Sequence, residues 1–174
     1  MLKRFTFAFF CISSIPLAAH DRAAQIDEHA HREAVVDSLA YAGETCAVGK
    51  RQERKMLAYI EERGFERDAA AELKTHERVS GRSDPAGLTL YSREGVRLAY
   101  FHSRYMRTCD ATHVIGPDFD IGSLLANLSQ RLGKDPKVET PGKKYLFPVK
   151  GAILTVQIKQ SEGEATISLA TVRT

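Results

Sequence analysis

The stretch Leu88–His102, LTLYSREGVRLAYFH, decides the fold of this 174-residue chain. Two short apolar runs, Leu88–Ser92 and Val96–His102, flank Arg93-Glu94-Gly95. Gly95 stands where a three-residue hairpin loop needs a positive φ, so a β-hairpin is expected. A helix starting at Pro85 competes with it. Leu88, Tyr91, Leu98, Tyr105 and Cys109 also fit a helical seam, and short apolar runs are ambiguous by periodicity. On the hairpin reading, which is preferred, Tyr105–Ile115 is a third strand.

Downstream, Gly116-Pro117-Asp118 reads as a turn and Asp120 as the cap of a helix over Ile121–Leu132. Ile121, Leu124, Leu125, Leu128 and Leu132 share one side of that helix, and Gly133 ends it. Tyr145–Val149 and Ile153–Lys159 are strands. Leu154, Val156 and Ile158 alternate with Thr155, Gln157 and Lys159, the pattern of one buried and one wet face. Thr166–Val172 follows a turn at Gly163.

Upstream the texture is helical. Residues 22–48 place Val35, Leu39, Ala42 and Cys46 on one face, widened by Val36 and Ala40. Residues 50–63 put Met56, Leu57 and Ile60 inward. Phe65, Ala69, Leu73, His76 and Val79 mark a third helix ending near Gly81. The fold class expected is therefore α+β: N-terminal helices, then an antiparallel sheet with one packed helix in the order strands–helix–strands. Residues 20–81 form the helical part and 88–174 the α+β part of one compact domain. No repeat is visible in the sequence.

Residues 1–19 read as a secretory signal, with Lys3 and Arg4 before an apolar run and Pro16-Leu17-Ala18-Ala19 before the expected cut. The protein is accordingly expected in the periplasm or outside the cell, with no membrane span after cleavage. The whole chain has 25 basic and 22 acidic residues and a formal charge of +3. Without Lys3 and Arg4, 23 basic residues face 22 acidic ones, a balance of +1 that gives no reason to expect nucleic acid as a partner. With 43% hydrophobic residues the chain is too apolar for intrinsic disorder. Cys11 leaves with the signal. Cys46 and Cys109 remain, an even pair that in an exported protein is most simply a disulfide.

The familiar catalytic and phosphate-binding motifs are absent, and nothing calls for a cofactor. Three constellations are candidates. Arg93, Arg97, Tyr100, Arg104, Tyr105 and Arg107 form the densest basic and aromatic stretch, suited to a protein or other anionic envelope partner. The plainer account makes its aromatics core and its arginines strand-edge charges. Cys46 or Cys109 with His113 has the residue types of a cysteine hydrolase, which competes with the disulfide for the same sulfurs. His20, at the new N-terminus after a cut behind Ala19, with His29 and His31, has the residue types of a copper site. The leading expectation is a small exported binding or accessory protein, of the inhibitor or envelope-assembly kind, rather than an enzyme.

Overall fold

The computed structural model describes residues 17–48, 53–72, 87–102, 107–161 and 163–172. Helix α1 spans Leu17–Val48 and α2 spans Glu53–Glu62. The strands β1 (Glu66–Arg67), β2 (Gly87–Arg93), β3 (Val96–His102) and β4 (Arg107–Ile115) follow. Helix α3 (Ile121–Leu132) leads to β5 (Lys137–Thr140), β6 (Lys144–Val149), β7 (Ala152–Ser161) and β8 (Glu164–Val172). All eight strands join one antiparallel sheet in the order β1-β2-β3-β4-β8-β7-β6-β5. The α+β class is as the periodicity implies.

The deciding stretch is a hairpin. Its loop is tighter than a three-residue reading allows: Arg93 pairs with Val96, leaving Glu94 and Gly95 as the turn. Both have positive φ, 49° and 71°, as a two-residue primed turn requires. Glycine adopts such a φ without strain, whereas Glu94 is a residue that seldom does. The helical seam fails because residues two apart, not three or four apart, carry the burial. Tyr91, Val96, Leu98 and Tyr100 are all enclosed.

The helices pack on one face of the sheet. Cys46 of α1 is bonded to Cys109 of β4, with Cα atoms 5.2 Å apart. That fixes which side of each strand turns inward. One inward row runs Tyr91, Leu98, Ala111, Leu169, Val156, Tyr145 across six strands, and every member is buried. Val35, Leu39, Ala42 and Cys46 meet it from α1, Met56 and Ile60 from α2, and Leu124 and Leu128 from α3. Gly43 is the point of closest approach. A Cβ there would lie 2.7 Å from Leu169 Cδ2 and 2.9 Å from Leu128 Cδ2, so α1, α3 and the sheet converge where α1 lacks a side chain. Helix α3 starts as its sequence implies, with the Asp120 carboxylate accepting from Ser123 N at 3.1 Å, and ends at Gly133 with φ 61°.

Three local readings need correction. Phe65 does not open a helix. Gly64 takes φ 76°, Phe65 turns into the core, and Glu66–Arg67 pairs with Tyr91 and Ser92 as β1. The helical turn starts only at residue 69, where Asp68 Oδ1 accepts from Ala71 N at 2.9 Å. Its continuation past residue 72 and the break at 81–86 lie outside the described residues, as does the signal segment up to residue 16. The second correction is β5. Its four residues are all exposed, so no alternation marked it. The third is that the single packed helix expected on the sheet is joined there by α1, which contacts β3, β4, β7 and β8 as well as α3.

The strand order repeats itself. A helix followed by four strands (α1 then β1–β4) is matched by α3 then β5–β8, and the two meanders meet only at β4 and β8. The first unit carries α2 and the helical turn at 69–72 as additions.

Candidate functional site

The structure splits the predicted basic and aromatic stretch. Arg93 pairs with inward Val96 and therefore stands at the helix side of the sheet. Arg97 points to the opposite face, beside Ser92 and Thr112. Tyr100 is 4% exposed and belongs to the core. Arg104 and Tyr105 lie outside the described residues, and only the backbone of Arg107 is described, opening β4 opposite His102. Strand alternation turns Arg93 and Tyr100 to the same side of the sheet while separating Arg93 from Arg97.

What gathers around Arg93 comes from elsewhere in the chain. Tyr41 of α1 is surrounded by guanidinium groups from three elements. Arg131 of α3 lies 3.6 Å from the ring centroid, Arg63 just after α2 lies 4.6 Å away, and Arg93 of β2 lies 5.9 Å away. Tyr59 packs edge-on to Tyr41 at 6.2 Å, and Arg63 is 5.1 Å from its ring as well. Such contacts draw a cation to the electron-rich ring face at about 0.5–1 kcal/mol each when exposed.

The arginines differ in their counter-charges. Arg131 is held by Asp37 at 2.6 Å and Glu44 at 3.5 Å, and by Asn127 at 2.8 Å. Burial works against its charge, but Tyr41 and the two carboxylates outweigh that and raise its pKa. Arg63 and Arg93 are anchored without being neutralised. Arg63 Nη1 donates to the Tyr41 hydroxyl at 3.2 Å, and Arg93 Nη1 donates to the Arg63 carbonyl oxygen at 2.7 Å. The arginine and lysine ion pairs among the described residues engage Arg32, Arg67, Arg131 and Lys144, not these two. Glu44 also accepts from the Tyr59 hydroxyl at 2.8 Å. Burial first, then Glu44, raises the pKa of Tyr59.

The result is two guanidiniums on a tyrosine platform, Arg63 bonded to tyrosine hydroxyls and Arg93 to the Arg63 carbonyl oxygen. Chemically this suits a planar or tetrahedral oxyanion, since guanidinium offers paired donors in a fixed fork. Sequence reading found Arg93 but missed Arg63, Arg131, Tyr41 and Tyr59. Their only sequence signal is charge and aromatic residues on helix faces that also read as solvated surface.

The other predicted residues have separate fates. Both sulfurs of Cys46 and Cys109 are in the bond, so neither is a nucleophilic thiolate in this form. His113 lies near Gly95, whose added Cβ would meet its Cε1 at 3.3 Å, and its Nδ1 is enclosed without a hydrogen-bond partner. His29 faces Glu33 at 3.9 Å and His31 faces Glu94 at 3.4 Å, so the two imidazoles turn to different neighbours. Only the backbone of His20 is described, within α1. Among the described residues no three His, Cys, Asp or Glu side chains are grouped to hold a metal ion. No described helix is long and apolar enough to cross a membrane. No family model, curated protein or solved structure matches the chain.

Proposed function

We propose that the chain is an exported, disulfide-stabilised binding protein that recognises a protein or other anionic envelope partner through Arg63 and Arg93. One observation carries the reading. Two adjacent guanidiniums are held in place by neutral acceptors, while the neighbouring Arg131 has two carboxylates. A purely cohesive cluster has no need of unneutralised charge at its rim. The disulfide supports the export part, because such bonds persist in oxidising compartments.

The test is capture of envelope components by the processed protein, with immobilised poly-glutamate and dextran sulfate as defined polyanions. Arg63→Glu with Arg93→Glu is expected to abolish capture that the wild type shows at low salt. Arg97→Glu, a charge reversal on the opposite face, serves as the control and is expected to retain it. Equal capture by both variants removes the surface assignment. The cysteine-hydrolase and copper readings have no observation in their favour in the bonded form.

A further inference from the structure

Among the described strands, β4 against β8 alone joins the two meanders, and its ladder stops short. It runs from Ile115 opposite Ala165 to Asp110 opposite Ala170. The ladders on either side go on past that level, β3–β4 to Arg107 and β7–β8 to Val172. Asp110 and Ala170 are therefore the last rung of the seam.

Asp110 is poorly served there. Its side chain points away from the helices, since its chain neighbours Cys109 and Ala111 are buried on the helix side. Its cross-strand neighbours, Ala99 and Ala170, end at Cβ and offer it no donor. Its Oδ1 is enclosed, with no hydrogen-bond partner among the described residues. Strand alternation sets Thr108 and Thr112 of β4, Ser168 of β8 and Thr155 of β7 on the same face. The charged groups on that face are Arg97 of β3, Lys159 of β7 and, at the other end of β8, Glu164. Desolvation raises the pKa of Asp110, and the charge of Lys159 only partly offsets this.

A buried carboxylate without a donor loses hydration on ionising and gains nothing in exchange. That cost falls on the rung that encloses it. The β4 side of the rung is pinned, because Cys109 is bonded to Cys46 of α1. No such bond ties β8, so relief comes from the β8 side.

We propose that Asp110 is a proton-operated latch on this seam: neutral, it lets the last rung close, and ionised, it makes β8 part from β4 at Ala170. The device couples acidity to the grip between the two meanders. It is separate from the arginine site, which lies on the helix side of the sheet. The sign follows from the raised pKa. The closing contribution is complete below the ordinary carboxylate value, about 3.9, and is lost as pH rises through the folded one.

The test is amide hydrogen exchange on the whole disulfide-bonded chain at pH 4 and pH 7, each rate referred to the intrinsic rate at that pH. The amides of residues 110–111 and 169–170 are expected to be several-fold better protected at pH 4. The rung Phe147–Leu154, enclosed and remote from the seam, is expected to show no such gain. Asp110→Asn keeps the shape without the charge, and its seam is expected to be equally protected at both pH values. In the wild type, which needs no substitution, the Asp110 carboxyl carbon resonance is expected to titrate above the ordinary aspartate range. Equal seam protection at the two pH values, an equal gain at Phe147–Leu154, a response that survives in Asp110→Asn, or an ordinary Asp110 titration overturns the proposal.

Discussion

Replacing both Cys46 and Cys109 by alanine removes a covalent tie between α1 and β4 whose sulfurs lie 63 residues apart in sequence. For a closed loop of that length the chain-entropy account gives roughly 4 kcal/mol of stabilisation at 25 °C, because the bond denies the denatured chain its open conformations. Native contacts change little by comparison. Both positions are enclosed, at 1% and 5% exposure, and alanine fills most of each site. With a urea slope of about 2 kcal/mol/M the midpoint is expected to fall by roughly 2 M. The slope itself is expected to rise, since an uncrosslinked denatured state exposes more surface. The assay is urea unfolding of the processed protein followed by far-UV circular dichroism, with dithiothreitol-treated wild type as a second route to the open form. A loss under about 1 kcal/mol by both routes refutes the reasoning, for it means that the denatured chain is already compact around this pair.

Three further predictions test the packing and the electrostatics. Gly43→Ala gains about 1 kcal/mol in helix propensity but drives a methyl group into Leu169 and Leu128, both fully enclosed, so a net loss of about 1–3 kcal/mol and a lower Tm are expected. Glu72 accepts two bonds from Arg67 at 3.0 Å and one from Leu90 N–H at 2.8 Å, so Glu72→Ala is expected to cost roughly 2–3 kcal/mol and to speed hydrogen exchange at the Leu90 amide. An unchanged exchange rate there contradicts the role of Glu72 as acceptor for the Leu90 amide. The two aspartates act oppositely with pH. Burial raises the pKa of Asp110, so its stabilising contribution is complete below about pH 4 and lost as pH rises through its folded value; Asp110→Asn is expected to exceed the wild type in stability at pH 7 and to lose that margin on acidification. Hydrogen bonds from Ser123 lower the pKa of Asp120, so its contribution is present above about pH 4 and disappears below it, and Asp120→Ala is expected to destabilise only in the higher range.

The parts of the fold governed by local chemistry were legible in the sequence. Asp120, Gly133 and the alternation of Leu154, Val156 and Ile158 each announce an element through short-range effects, and each appears where expected. The pairing of Cys46 with Cys109 was readable from their count once Cys11 is set aside with the expected signal. Phe65 misled because a single aromatic fits a helical step as well as it fits an inward turn after Gly64. β5 left no trace because an exposed edge strand has no buried side to alternate with. The arginine site was half legible. Arg93 stands in a dense basic run, but its companions Arg63, Tyr41 and Arg131 come from three helical regions that only tertiary packing brings together. Arg97, four residues from Arg93, went to the other face because the hairpin turn and strand alternation decide direction, and composition does not record direction.

The symmetric strand order has a consequence for how the chain holds together. Two copies of a unit made of one helix and a four-stranded meander, meeting edge to edge at their last strands, build the same continuous eight-stranded sheet. Among the described strands, β4 against β8 is the seam between the two meanders, with α3 and the loops around it as the covalent joint. Both cysteines lie in the first copy, so the covalent tie belongs to that copy and the second is held by its seam and by α1. A chain cleaved between β4 and α3 is expected to stay together as two pieces, held by the β4–β8 seam and by α1. Arg131 of α3 lies 3.6 Å from the Tyr41 ring of α1, so the arginine platform itself draws on both pieces.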